Sequence, residues 1–396
     1  MSVAGILPVV ADKPGGDPAP TEPTGTLVLT DNLQLLAVAS DYARLYDWDP
    51  DTDQFVHSWS AKADHDGVIG DIDGDDSKEV AALRTSSVTT GKKPHTTTTW
   101  SVYLNVWEDG DDSASPSLSQ KISTEMAWQL DIGDVDGDGD GELVVQYSDA
   151  VEVWDFTADA DGQIASSTTS YTARVEVDSY FGLEIGDADF DGVNEIVVGE
   201  AGEDNTAAVI DRSGTGTFSI AAYIGSSVID DISIGNLDGN TGNGNEIFMS
   251  GATGGKVFIW RYVDSAYSQV WTGTYDTSDN GVEYLQSNKE VQLDSDAALE
   301  VVSGRGTGYV RDGGKLVWQS RMYVWQYDGY DSWTLSTNDL SGYSVGQQIN
   351  NCVAGDVDDD DANEVILDGV VFEWTDGTLQ PIQVISDHSL ALYHLA

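Results

Sequence analysis

The sequence predicts an all-β chain built from repeated sheets, of the propeller or solenoid kind. Three observations carry that expectation. A carboxylate-rich loop recurs six times, its first position falling at 71, 134, 187, 236, 292 and 356. Steps of 63, 53, 49, 56 and 64 residues fit architectures in which each unit buries its faces against the next. Ahead of the loops, apolar residues alternate with polar ones, as in Leu130-Asp131-Ile132, Leu183-Glu184-Ile185 and Ile232-Ser233-Ile234, the period of a half-buried strand. Behind them the chain turns fully apolar, as in Leu143-Val144-Val145 and Ile196-Val197-Val198. A third strand follows, carrying Trp107, Trp154, Trp260, Trp325 or Trp374. Nothing has the 3.6-residue spacing of a long amphipathic helix.

Four loops are intact. Their positions 1, 3, 5, 7 and 9 are Asp71, Asp73, Asp75, Ser77 and Glu79; Asp134, Asp136, Asp138, Asp140 and Glu142; Asp187, Asp189, Asp191, Val193 and Glu195; and Asp356, Asp358, Asp360, Ala362 and Glu364. A decayed copy keeps Asn236, Asp238, Asn240 and Glu246, and another runs from Gln292 to Glu300. Carboxylates crowded into so short a turn repel one another, and burying that charge without a counterion is costly. A cation is therefore expected, bound by side-chain oxygens and by the backbone carbonyl of position 7. All-oxygen ligation in a flexible turn suits Ca2+ better than Mg2+, and the lack of His or Cys argues against zinc. Four to five calcium ions are expected. The loop is not an EF-hand, because its glutamate closes at position 9 and its flanks alternate like strands.

Around the third loop, the run from Tyr180 to Gly199 closely resembles the FG-GAP or VCBS repeat, the calcium-binding blade of integrin alpha-subunit propellers and many microbial surface proteins. Phe181-Gly182 supplies the pair after which the repeat is named. The resemblance covers nearly the whole chain from about residue 30 and implies a β-propeller with one four-stranded blade per repeat, the calcium loop joining its first and second strands.

The two ends complete one more blade. Residues 33–47 line up with the run that begins at Leu143, through the shared Ser40-Asp41 and Ser148-Asp149, and so read as a blade lacking its first strand. Residues 387–394 align with 64–71 and would supply it. The expected fold is a seven-bladed β-propeller closed by N- and C-terminal strands in one blade, which leaves no unpaired edge within the ring. It spans residues 29–396. Residues 1–28 form an N-terminal arm and a linker rich in Pro and Gly. The apolar stretch from Val3 to Ala11 is too short to span a membrane and, with no Lys or Arg before it, is a poor secretory signal. Residues 2–11 are an expected docking or oligomerisation arm.

The formal charge is −52, from 69 acidic and 17 basic residues. Such an excess resembles proteins of extreme halophiles, where molar salt cuts the Debye length to about 3 Å. Nucleic acid and anionic membrane are poor partners for this surface. Cys352 is the single cysteine and holds a core position, so no intrachain disulfide forms.

No catalytic motif stands out. The five histidines form no metal motif, and there is no GxSxG elbow, phosphate-binding glycine loop or dinucleotide fingerprint. The third-strand tryptophans read as packing between blades, whereas Trp100, Trp271 and Trp333 are candidate exposed platforms. Seven of the 17 bases fall in two long connections, from Arg84 to Trp100 and from Gly304 to Arg321. Lys92, Lys93, His95, Arg305 and Arg311 are the candidate ligand-face residues, on the side opposite the calcium loops. The expected function is a non-catalytic, calcium-stabilised recognition or adhesion module of a halophile. It would stand on the cell surface or on a haloarchaeal virion, outside the cell, and bind protein or glycan of an envelope. The alternative is a calcium-dependent polysaccharide lyase acting on acidic glycans, which would need a Lys, Arg or Tyr base in a cleft.

Overall fold

In the computed structural model the chain forms seven four-stranded antiparallel sheets arranged as blades of one propeller. The structure describes residues 25–395 apart from the short stretches 31–33, 40–41, 93–94, 162, 165–169, 201–206, 215, 226–228, 252–254, 276–284, 313–314, 340–351, 359, 368, 376 and 386–391. Among the described residues there is no helix. The innermost strands of blades one to six are Gly67–Gly70, Ala127–Gly133, Ser179–Gly186, Ile229–Gly235, Leu285–Val291 and Cys352–Gly355. Within each of these blades the strands follow one another outward in chain order.

Blade seven is the closure. Leu392–Leu395 lies innermost and pairs with Gln34–Ala39, Leu35 opposite Leu395 and Val38 opposite Leu392, and Tyr42–Asp49 and Gln54–Ala61 complete the sheet. The expected N-terminal arm, residues 2–11 included, lies outside the described residues up to residue 24. Packing begins just ahead of the expected boundary: Leu27 is fully buried, its amide bonds the Asp111 carbonyl, and its own carbonyl accepts from Gly110.

The core is seven separate layers, one between each pair of neighbouring blades. Leu83, Leu104, Leu143 and Val145 fill the layer between blades one and two, while Val144, Val153, Ile196 and Ile210 fill the next. Successive residues of one strand thus face opposite neighbours. A strand buried on both sides has no polar face to show, which is why the run after each loop is continuously apolar. At the closure the same logic holds: Leu36, Leu45 and Trp59 of blade seven meet Ile69, Val80 and Trp107 of blade one, with the two indoles edge to face at 5.4 Å.

The tryptophan expectations divide. Trp107, Trp154 and Trp325 are buried and Trp100 is 46% exposed, in line with the sequence. Trp333 is instead buried, and half-buried Trp271 packs between it and Trp325 with centroids 5.6 and 5.8 Å away. The two basic insertions also differ from plain connecting loops. Glu79–Lys92 pairs with His95–Trp107 through the full length of the insertion, and Glu300–Asp312 pairs with Lys315–Tyr327 with one shift of register between Arg305 and Gly308. Threonine-rich strands favour the pleated ladder, and Thr89 and Thr98 face each other with hydroxyls 3.0 Å apart. Antiparallel order places these ribbon tips on the face opposite the carboxylate loops.

Candidate metal loops and the central channel

One hydrogen bond is repeated in all six loops. The closing glutamate turns back so that Oε2 accepts the amide of position 2: Glu79 from Ile72 (3.0 Å), Glu142 from Val135 (2.8 Å), Glu195 from Ala188 (2.7 Å), Glu246 from Leu237 (2.9 Å), Glu300 from Leu293 (2.8 Å) and Glu364 from Val357 (2.9 Å). Glu79, Glu142, Glu195 and Glu300 each also bring a carboxylate oxygen within 4.8 Å of those of two loop aspartates. Position 1 is held from the other side. Asp71 accepts from Gly74 and Asp76, Asp134 from Gly137 and Gly139, Asp187 from Asp191 and Gly192, and Asp356 from Asp360 and Asp361. This wrapping needs left-handed backbone at the turn, and even non-glycine residues adopt it: Asp76, Phe190 and Asp361 have φ of 69°, 66° and 71°. The amides of Ser77, Asp140, Val193 and Ala362 donate to Asp75, Asp138, Asp191 and Asp360, so position 7 locks position 5.

Carboxylate oxygens converge within 4.8 Å in five loops: Asp71, Asp73 and Glu79; Asp134, Asp136 and Glu142; Asp187, Asp189 and Glu195; Asp294, Asp296 and Glu300; and Asp356, Asp358 and Asp360. The fifth loop joins them although its first position is Gln292, because Asp294, Asp296 and Glu300 keep the spacing of positions 3, 5 and 9. The first site is the most enclosed. Asp73 is 3% exposed, and both its carboxylate oxygens are buried without a partner. Asp136 Oδ1, Glu195 Oε1 and Asp358 Oδ1 are likewise orphaned. Burial first, and neighbouring aspartates after it, push the carboxyls of Glu79 up to about 9 and of Glu142 and Glu195 up to about 8. Buried oxygens that repel one another and lack donors fit a hard cation.

The fourth loop differs in composition: Asp238 and Glu246 are its two carboxylates, beside the amides of Asn236 and Asn240. The Arg261 guanidinium enters it, Nε on Glu246 and Nη2 on Asp238, with Nη1 3.3 Å from Asp331. Arg261, Asp238 and Glu246 are all well buried, so this is a desolvated ion pair.

Adjacent loops are tied together. Asn245 Nδ2 donates to the Asp187 carbonyl (3.0 Å) and Asn363 Nδ2 to the Gln292 carbonyl (2.8 Å), each at the head of a loop one blade back. Between blades two and one the contact is closer, since a Cβ on Gly141 would lie 2.7 Å from the Asp71 carbonyl oxygen.

The inner strands enclose a second feature, a polar cavity of about 360 Å³ at the ring's centre, lined by Asp66, Asp131, Glu184, Asp231, Lys289 and Glu290. Lys289 Nζ lies 3.2 Å from Glu184 and 2.9 Å from Glu290. Asp66 bridges two blades by accepting amides from Gly67 and Leu130. Burial pushes Asp66 and Asp231 up to about 7 and Asp131 to about 6. Against the cost of burial, Glu184 and Glu290 hold Lys289 protonated, well above the usual lysine range. A lysine so held is a poor general base. Cys352 also lines the cavity, and burial pushes its thiol up, as suits an inert core position. For two of these residues, Asp131 and Glu184, the sequence signal was a polar residue between two apolar ones on an inner strand.

Of the ligand-face candidates, Lys92, His95, Arg305 and Arg311 have backbone within the two ribbons, while their side chains and all of Lys93 lie outside the described residues.

No protein-family model matches the chain, and no curated protein matches it. Solved structures do. A proposed 6-phosphogluconolactonase from Bacteroides uniformis is similar over 92% of this chain and 100% of its own, with 13% identity and a TM-score of 0.54. One from Bacteroides fragilis is similar over 96% and 100%, with 12% identity and a TM-score of 0.54. A Lactobacillus plantarum protein is similar over 92% and 99%, with 12% identity and a TM-score of 0.57. At such identity the likeness is one of fold. The chain is a seven-bladed β-propeller.

Proposed function

We propose that this propeller is a non-catalytic, calcium-stabilised recognition module of the FG-GAP type, displayed by a halophile on its cell surface or by a haloarchaeal virion on its outer face. The observation that carries the reading is the convergence of carboxylate oxygens in five loops, several of those oxygens buried and without a donor. Positions 1, 3, 5 and 9 would hold the ion by side chains and position 7 by its carbonyl. What calcium supplies there is charge neutralisation and a staple between the first two strands of a blade. Propellers host enzymes as well as binding modules, so the fold does not decide between them.

Recognition is assigned to the face bearing Lys92, Lys93, Arg305 and Arg311, rare cations in an acidic field and natural contacts for anionic envelope glycans or acidic surface protein. Reversing these four to Glu should abolish attachment to halophile cells and leave the calcium-dependent melt intact. Attachment that survives the reversal, or turnover of a uronic-acid polymer into unsaturated products, would overturn the reading.

A further inference from the structure

In every blade that carries a loop, one residue of the third strand, or in blade one the residue just past its end, stands across the ladder from the closing glutamate. Glu373 faces Glu364 and Arg261 faces Glu246. The pairings Val80–Trp107, Leu143–Trp154, Ile196–Ile210 and Val301–Trp325 set Glu108, Asp155, Asp211 and Gln326 opposite Glu79, Glu142, Glu195 and Glu300. Directly opposed residues of an antiparallel pair share a face, with Cβ atoms about 5 Å apart. The facing residue is thus carboxylate in blades one, two, three and six, amide in blade five, and guanidinium in blade four.

Two contacts show that this position reaches the loop. Arg261 binds both Glu246, the closing glutamate, and Asp238, the carboxylate at position 3. Gln326 Nε2 lies 3.5 Å from Asp294 Oδ2, again position 3. A third observation concerns Glu108, which is 3% exposed: its Oε1 accepts the Ile164 amide at 2.7 Å, while Oε2 is buried with no donor at all. Glu108 repels Asp73, as Asp155 repels Asp136 and Asp211 repels Asp189. An extra acid turned toward a cluster of acids is costly unless a cation lies between them.

Resting on the calcium reading of the loops, we infer that this third-strand residue selects the cation of each blade: a carboxylate adds a ligand or charge for a bound ion, and arginine is itself the ion. Blade four is then neutralised permanently from within, whereas blades one, two, three and six depend on calcium. Blade five, with neutral Gln326, holds calcium by its loop alone. Without Arg261, the blade-four loop would offer an all-oxygen set, since Asn236 Oδ1 and Asn243 Oδ1 are buried acceptors with no donor, beside Asp238 and Glu246.

The test exchanges the two kinds of blade in the full chain, at the salt in which it is folded, by calorimetric calcium titration after chelation and by melting with and without chelator. Asp211→Arg should bind one ion fewer than the parent and melt higher than the parent in chelator. Glu373→Arg should do the same in blade six and decides the matter if the first variant does not fold. Arg261→Gln should bind one ion more and melt lower than the parent in chelator. Glu108→Gln should keep the parent's ion count and weaken one site about tenfold or more. Arginine variants that retain the parent's count and its chelator melt would overturn the inference. A parent that binds no calcium would instead sink the reading of the loops. The melts in chelator would then still judge the third-strand residue, an arginine variant no more stable than the parent counting against it.

Discussion

Replacing Glu79 by Gln should reverse its effect on stability according to whether calcium is present. Glu79 is almost fully buried, accepts the Ile72 amide, and in the absence of metal has its carboxyl pushed up to about 9 from 4.5, chiefly by burial. A folded-state value above the unfolded one means that the metal-free protein is most stable when this group is protonated. That stability is complete below about pH 4.5 and is lost as the pH rises toward 9. At pH 8 the ceiling on the loss is ~5 kcal/mol, at ~1.4 kcal/mol for each pH unit above the unfolded value. Relaxation of the loop and entry of water bring that to roughly 2–3 kcal/mol. The glutamine can still accept the Ile72 amide but carries no charge, so in chelator at pH 8 it should be the more stable protein. With ~0.8 kcal/mol/K of unfolding entropy for a chain of this length, the gain is about 3 °C in Tm. In calcium a hundredfold above Kd, the parent gains ~2.7 kcal/mol at this site and the variant forfeits most of it. The assay is a pair of thermal melts, with calcium and with chelator, repeated from pH 5 to pH 9. Equal destabilisation by the substitution in both conditions would show that Glu79 serves only its hydrogen bond.

Removing residues 392–396 should expose the inner edge of Gln34–Ala39 and lower the melting temperature steeply or aggregate the protein, as light scattering during the melt would show. A truncated chain that melts like the parent would mean that the ring does not depend on its closing strand. Lys289→Met should cost roughly 3 kcal/mol at pH 8 by leaving Glu184 and Glu290 unpaired in the central cavity. The deficit should shrink as the pH falls, because burial raises the Glu184 carboxyl and its protonation removes the charge left unpaired. A deficit independent of pH would argue for lost packing instead.

The fold was legible because its two periods are written locally. Alternation on Leu130-Asp131-Ile132 and continuity on Leu143-Val144-Val145 report one-sided and two-sided burial within a dozen residues of each other. The closing strand was legible by alignment of one end of the chain with the first repeat. The candidate loops were legible where the head residue is Asp, and were underestimated in blade five, where Gln292 masks three acids that still converge. Arg261 escaped notice because it lies in another strand, 15 residues beyond the glutamate it neutralises. Only the ladder register joins them, and a side-by-side reading of Glu108, Asp155 and Arg261 against their closing glutamates would have been the signal. The central lining is drawn from six blades in distant parts of the chain; the alternation at Asp131 and Glu184 marks a polar face, but no local pattern says that these faces meet around one cavity.

The closing pair of strands also gives the ring a seam with its own mechanics. Leu35 and Leu395 are 360 positions apart in the chain yet adjacent in the sheet. Bringing them together costs ~5 kcal/mol of loop entropy, against ~2 kcal/mol for a ten-residue turn, so this joint is the last that a folding chain has reason to make. Because the two strands are antiparallel, the chain enters Gln34–Ala39 and leaves Leu392–Leu395 at the same end of their ladder. Tension applied between those two points would open the seam like a zipper, one pair at a time, whereas a propeller tethered through one end alone would bear load without straining it.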